Sequence, residues 1–241
     1  MKFSYKNIYN SEKHKNFMDS QCYVIDDKFL TETENYELSD GFSVEVKVYE
    51  DSKQKENYSV LTYVEKITLK NADRTIYEYY CFDNHNFIFK EIIHHKNGHR
   101  YYAFKVDLYG ISFLDVDTLE VYNYIPEGYI NGNDDRMCGE SFIITDVHYD
   151  KKSDMIAYGG CYWAGLCEVM VGDFSNPLNF NPHLITVCDI LDPEHDLSYD
   201  YDFREWKDNK LYVMGDDKEE KSLSIDELKD MINELTDKGE K

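Results

Sequence analysis

The sequence predicts an all-β fold of antiparallel meanders in a propeller-like arrangement, followed by a C-terminal helix. Aromatic residues, which favour strands, make up 15% of the 241 residues, with 22 Tyr and 13 Phe. From Phe42 onward, short segments alternate apolar and polar residues with period two between polar turns. A strand–turn–strand unit also recurs along the chain. The alternative is a twisted β-sandwich, because the sequence does not say whether the repeated units close into a ring.

The internal repeat is the basis for the propeller-like part of this prediction. Residues 146–159 match residues 202–215 without a gap, at an offset of 202 − 146 = 56. In a weaker third copy of the repeat, Ile93 aligns with Val147, at an offset of 147 − 93 = 54. Each copy consists of a strand, a short polar turn and a strand, as in a propeller blade. The spacing exceeds the roughly 40–45 residues of common blades, so the ring could be incomplete.

The individual strands follow from the alternation and from the turns that bound it. Residues 1–41 are polar and are predicted to be irregular, with one or two short strands within residues 17–30. No helical periodicity is visible before the C-terminal segment. The predicted strands are 43–49, 58–69, 75–82, 87–93, 101–108, 111–116, 120–125, 142–149, 155–158, 167–174, 184–190, 201–206 and 210–214.

The C-terminal segment predicts an amphipathic helix after the acidic break DDKEEK. Ser224 and Glu227 have the spacing of a capping box. Four apolar residues recur at helical spacing: Ile225, Leu228, Ile232 and Leu235. We therefore divide the chain into a single β-domain, residues 1–216, and an acidic linker with the helix, residues 217–241. The helix is expected to pack on the β-domain; the alternative is a docking helix for a partner or a second copy.

The charge balance limits the classes of partner. The chain has 26 basic and 48 acidic side chains, so the formal charge is 26 − 48 = −22. Phosphate contacts need clustered cations, and the four arginines are scattered: Arg74, Arg100, Arg136 and Arg204. We therefore exclude nucleic acids and anionic membranes as partners. A basic protein is favoured, because opposite charge raises the rate of association.

Other features of the sequence indicate a bacterial cytoplasm. The N-terminus lacks the apolar region of a secretory signal. The six cysteines show no C-x-x-C pair, which favours reduced thiols. Abundant Lys, Asn, Ile and Tyr with few Arg and Pro fit an AT-rich bacterial genome. We expect no cofactor and no metal, and the oligomeric state is open.

The most unusual segment is GGCYWAGLC, residues 159–167. Its glycines permit positive φ or close backbone approach, and its aromatic residues could form a platform for a ligand or partner. The candidate binding residues are Cys161, Tyr162, Trp163 and Cys167, together with His148 and Arg136. The alternative is a strand connection whose Tyr162 and Trp163 pack into a core. No short catalytic motif is present, so no catalytic residue is predicted.

Two further groups of residues contain the side chains that ligate metals. His94, His95 and His99 surround a turn, and the favoured interpretation is a solvated turn rather than a metal site. Carboxylates cluster at residues 134–140 and 192–202. With 48 acidic residues in the chain, these clusters are interpreted as solvated surface rather than as a cation site.

Residues 144–179 carry a family resemblance. The segment resembles a group of small, uncharacterised bacterial proteins with WD40-like or propeller-like strands. In that group one strand ends in a Gly-Cys-Tyr-Trp-Ala loop and the next in Asp-[Phe/Ile]-Ser-x-Pro; here these are residues 160–164 and 173–177. The WD40 dipeptide and its Gly-His partner are missing. The resemblance implies a β-architecture and no particular activity.

These observations favour a non-enzymatic protein-binding module that recognises a basic partner. The alternative is an enzyme or small-ligand binder with its site at the loop of residues 159–167.

Overall fold

The computed structural model describes residues 2–54, 59–83, 87–130, 139–163, 165, 167–180, 182–193 and 200–239. These residues group into two compact units. Unit 1 comprises Met1–Ile93 and Arg100–Gly139, and unit 2 comprises His94–His99 and Glu140–Lys241. The predicted boundary at residue 216, between a β-domain and a C-terminal segment, stays a prediction.

Residues 30–124 form two four-stranded antiparallel meanders in which each strand pairs with the next along the chain. The strands of the first are β2 (Leu30–Glu37), β3 (Phe42–Gln54), β4 (Ser59–Asn71) and β5 (Arg74–Cys81). Those of the second are β6 (Ile93–His94), β7 (Arg100–Phe104), β8 (Ile111–Asp115) and β9 (Val121–Tyr124). A separate antiparallel pair joins β1 (Lys2–Asn7) to β10 (Pro126–Ile130). Each four-stranded meander runs up and down, as a propeller blade does.

The core of unit 1 explains why the residue pattern of strand β3 predicts a strand. Phe42, Val44, Val46 and Val48 alternate with polar residues and are all buried. Side chains of a strand point to opposite faces in turn, so this pattern places one apolar row on one face of the sheet. That row belongs to a cluster that also contains Ile67 and Leu69 of β4 and Tyr102 and Phe104 of β7.

The N-terminal region is more regular than predicted. Residues 1–41 contain strands β1 and β2 and helix α1 (Glu12–Gln21), so the prediction of an irregular region without a helix is wrong. Ser11 caps α1, since its Oγ accepts a hydrogen bond from the His14 amide. His14 is the single buried residue of this helix, and β2 is almost entirely exposed. Neither element therefore shows the apolar periodicity on which the prediction relied.

The described residues of unit 2 form a four-stranded meander, a three-stranded sheet and two α-helices. The meander consists of β11 (Ile143–Asp150), β12 (Met155–Cys161), β13 (Cys167–Asp173) and β14 (Ile185–Thr186). The three-stranded sheet consists of β15 (Tyr201–Lys207), β16 (Lys210–Gly215) and β17 (Glu220–Ser224). The helices are α2 (Val187–Leu191) and α3 (Ile225–Gly239). The all-β prediction, with antiparallel meanders and a C-terminal helix, is confirmed.

The structure shows what the 56-residue repeat encodes. The β11–β12 hairpin pairs Asp150 with Met155, and the β15–β16 hairpin pairs Trp206 with Leu211. These pairs are equivalent, because 150 + 56 = 206 and 155 + 56 = 211. Further from the turn the registers diverge, since the bulge lies between Ile144 and Asp146 in one hairpin and between Phe203 and Glu205 in the other.

The structure differs from the predicted strands in several places. Of the predicted strand 87–93, Ile93 alone is in a strand, and residues 87–92 are irregular. The predicted strand 184–190 has two strand residues and then helix α2. Strand β17 begins at Glu220, within the predicted acidic break. Its pairing with β16 and the burial of Leu223 outweigh a composition that is typical of a linker.

Helix α3 packs in the core of unit 2. Ile225, Leu228 and Ile232 are buried together with Met155, Val169 and Leu211. The predicted amphipathic stripe is thus confirmed for its first three positions, whereas Leu235 is exposed. Among the helices that the structure describes, none has both the length and the apolar character needed to cross a bilayer.

Candidate functional site

The loop of residues 161–167 joins the ends of two paired strands. Cys161 and Cys167 are the last register partners of β12 and β13, so the loop closes a hairpin. Within it, the amide of Gly165 donates a hydrogen bond to the carbonyl oxygen of Tyr162 at 2.8 Å. This bond brings the backbone of Gly165 back to that of Tyr162 at the end of the sheet.

The glycines before the loop allow close packing. A Cβ added to Gly160 would lie 2.0 Å from the Ile143 carbonyl oxygen and 2.8 Å from Cζ of Phe142. Neither Gly159 nor Gly160 has positive φ. The sequence analysis gave two reasons for these glycines, positive φ and close backbone approach. In the structure the reason is close backbone approach.

The two aromatic residues of the loop have different surroundings. Tyr162 is half-buried, and its ring lies edge-on to that of Phe142 with 5.5 Å between the centroids. Trp163 is 58% exposed. The loop therefore holds Tyr162 against the unit and presents Trp163 at the surface.

Carboxylates lie beside the loop. The amide of Cys167 donates a hydrogen bond of 2.7 Å to Oδ1 of Asp200, and the exposed Asp202 follows two residues later. Burial, followed by the charges of Asp200 and Asp202, raises the pKa of the Cys167 thiol. The thiol is therefore protonated at neutral pH, whereas nucleophilic catalysis needs a thiolate.

His148 does not belong to this site. It lies opposite Ala157, which precedes Cys161 by four residues, a separation of about 13 Å along a strand. Its ring stacks on Phe203 with centroids 3.8 Å apart, and its carbonyl oxygen accepts a hydrogen bond from Trp206 Nε1. Burial lowers the pKa of His148. The side chain therefore packs the hairpins together.

The remaining candidates are placed as follows. Arg136 lies outside the described residues, as do Asp134, Asp135, Glu194 and Asp196. His95 is 2% exposed, so the expected solvated turn is wrong for this residue. Its Nε2 lies 2.9 Å from the Phe174 carbonyl oxygen, and its ring stacks on Tyr149.

The sequence missed the proximity of Asp200 and Asp202 to the loop. Both were included in an acidic surface cluster, but the hydrogen bond to Cys167 spans 33 residues of sequence. No local pattern encodes such a pairing, because it depends on where strand β15 packs.

No family model and no curated protein matches the chain. Among solved structures, the chain is similar to one described as the crystal structure of HIRA(644-1017), at 9% sequence identity and a TM-score of 0.26. The match covers 80% of this chain and 53% of that one, so the chain spans about half of its length. The strand pairings of the chain itself define its fold, and the resemblance to the WD40-like bacterial group stays a prediction.

Proposed function

We propose that the chain is a non-enzymatic protein-binding module of a bacterial cytoplasm, and that its partner presents a basic surface to the loop of residues 161–167. The observation that carries this proposal is the 58% exposure of Trp163 on a hairpin end that has carboxylates beside it. Tryptophan is enriched among the residues that dominate binding energy at protein interfaces.

The chemistry of the loop fits a basic partner. The face of an exposed indole attracts the cation of an Arg or Lys side chain. Asp200 and Asp202 can accept charge-assisted hydrogen bonds from the same partner. A formal charge of −22 extends this attraction beyond the contact and raises the rate of encounter.

The loop suits a protein partner better than a small substrate. Sites for small molecules are concave and bury most of the ligand, whereas both Trp163 and Cys167 are exposed. The raised pKa of the Cys167 thiol also makes it a poor nucleophile at neutral pH. Both observations support binding rather than catalysis.

The experiment starts with affinity capture by the intact chain and continues with the purified partner and measured dissociation constants. Trp163→Ala is expected to weaken binding at least about tenfold, in the range of interface hot spots. The matched control is Leu61→Ala, which truncates another exposed apolar side chain. Equal affinity of the two variants would show that the loop is not the contact.

Charge is tested with two double variants of equal net charge. Asp200→Asn/Asp202→Asn removes two charges beside the loop while leaving an oxygen to accept the Cys167 amide. Glu32→Gln/Glu37→Gln removes two charges from the exposed strand β2. We expect the first to weaken binding and reduce its salt dependence more than the second. An acidic partner, or affinity that does not change with salt, would contradict the proposal.

A further inference from the structure

Unit 1 contains a pocket of about 160 Å³ with mainly aromatic walls. Helix α1 contributes His14 and Met18 to its lining. The other aromatic residues of the lining are three tyrosines of β5 together with two residues outside it: Tyr77, Tyr79, Tyr80, Tyr9 and Phe82. An apolar cavity of about 150 Å³ holds benzene. The space therefore suits one six-membered ring with a small substituent.

His14 is the polar group that distinguishes this pocket from a packing defect. Its side chain is 1% exposed, and Nδ1 accepts a hydrogen bond from the Asn10 amide at 3.2 Å. A neutral ring whose Nδ1 accepts must carry its proton on Nε2. Burial and then the charge of Lys15 lower the pKa of His14, so the ring is neutral at pH 7.

The Nε2–H group of His14 makes no hydrogen bond to the described residues, and unlike the enclosed hydroxyl of Tyr158 it stays accessible to solvent. Buried donors are almost always paired with protein, water or ligand, because an unpaired donor costs free energy. Since His14 lines the pocket, a water or a ligand bound there can accept this hydrogen bond.

The other walls restrict the chemistry of that partner. Tyr9 packs against His14 with 5.0 Å between the ring centroids. Burial raises the pKa of both Tyr9 and Tyr77, so their hydroxyls are protonated donors as well. Among the described residues, the lining contains no Lys or Arg, and its one carboxylate, Glu78, is paired with Lys66 at 2.7 Å. An anionic ligand would thus be buried without a counter-charge.

We propose that this pocket binds a small, uncharged, planar molecule whose carbonyl oxygen accepts a hydrogen bond from Nε2 of His14. Aromatic walls favour a flat ring, the donors favour an acceptor, and the lack of a cation in the lining excludes a carboxylate. This inference goes beyond the proposed partner binding, since it rests on residues of unit 1 alone.

Benzamide is the probe, because it combines a six-membered ring with an uncharged carbonyl group. In an NMR titration of the full chain with ¹⁵N-labelled histidine, benzamide is expected to shift the Nε2 resonance of His14 saturably. For so small a ligand we expect a dissociation constant of about 1 mM. Toluene lacks the acceptor and benzoate is charged, so each should bind at least about tenfold more weakly.

Substitutions of His14 separate the contribution of the hydrogen bond to benzamide affinity from the contribution of the pocket's shape. His14→Phe keeps a ring but removes the donor, and benzamide affinity should fall at least about tenfold. His14→Gln retains an N–H donor and should keep most of the affinity. His94→Phe is the control, since His94 is exposed.

The titration of the unmodified chain needs no variant. It therefore tests the proposal even if His14→Phe fails to fold. An unchanged Nε2 resonance in saturating benzamide would overturn the proposal and indicate a pocket filled by water. Equal affinity for toluene, or for His14→Phe, would overturn it as well.

Discussion

Cys161 and Cys167 are direct cross-strand partners, the first at the end of β12 and the second at the start of β13. Both are free thiols. Residues paired across an antiparallel ladder have Cα atoms about 4.5–5.5 Å apart, which lies within the range that disulfides span. The two thiols can therefore be joined with little movement of the backbone.

We expect hydrogen peroxide to join Cys161 and Cys167 in the folded chain. Two thiols and one peroxide yield one disulfide and two waters. The raised pKa of Cys167 should make the reaction slow at pH 7 and faster at pH 9, as the thiolate fraction grows. Peptide mapping by mass spectrometry detects the bridge, and Cys161→Ser is the control that must abolish it. A bridge that forms in urea alone would contradict the observed register.

A pH dependence of stability is expected from Asp107. This carboxyl is 8% exposed, and burial is the main cause that raises its pKa to about 7. The unfolded chain loses this proton near pH 4, whereas the native chain keeps it until about pH 7. The contribution of Asp107 is therefore present below pH 4 and is lost as the pH rises to 7.

Urea unfolding between pH 4 and pH 8 measures this effect. The free energy of unfolding of the wild type should fall relative to that of Asp107→Asn, by on the order of a few kcal/mol across this range. The difference should level off above about pH 7, where both states are ionised. Parallel curves for the two proteins would mean that Asp107 does not carry the shifted pKa.

Gly160→Ala should destabilise unit 2. The added methyl group would lie 2.0 Å from the Ile143 carbonyl oxygen, so the β11–β12 pairing must shift. We expect a loss of about 3 kcal/mol, at the upper end of the usual cost of overpacking. Gly159→Ala is the matched control, because its methyl group would meet the side chain of Asp146 at 3.3 Å. Thermal melts compare the two variants, and an equal loss would contradict the predicted clash.

Truncations along helix α3 test whether this helix belongs to the core of unit 2. Leu228 is 1% exposed within that core, whereas Leu235 on the same helix is 39% exposed. Leu228→Ala should cost about 2–5 kcal/mol and Leu235→Ala less than about 1 kcal/mol. Denaturant unfolding measures both losses. Similar small losses would indicate that α3 detaches from the sheet in solution.

The elements that could be read from the sequence are those with one buried face. Strand β3 was predictable because Phe42, Val44 and Val46 alternate with polar residues, and α3 because Ile225, Leu228 and Ile232 recur at helical spacing. Strand β2 and helix α1 could not be predicted in this way, because almost none of their side chains are buried. Periodicity reports burial, so an exposed element leaves no such pattern.

The candidate site was found in part. The sequence singled out the loop of residues 159–167 from its glycines and aromatic residues, and the structure shows which of them are packed and which are exposed. It could not separate Tyr162 from Trp163, since the burial of each depends on contacts such as that with Phe142. It also placed His148 with the loop, although that ring stacks on Phe203.

The sequence by itself determined the all-β class, the hairpin repeat, the C-terminal helix and the acidic character of the chain. These are local or summed properties, set by the order of side chains and by their charges. The tertiary structure alone decided that Cys161 faces Cys167, that Asp200 holds the Cys167 amide, and that His14 lies against a pocket. Such contacts join residues through the packing of separate strands and helices, which no short stretch of sequence specifies.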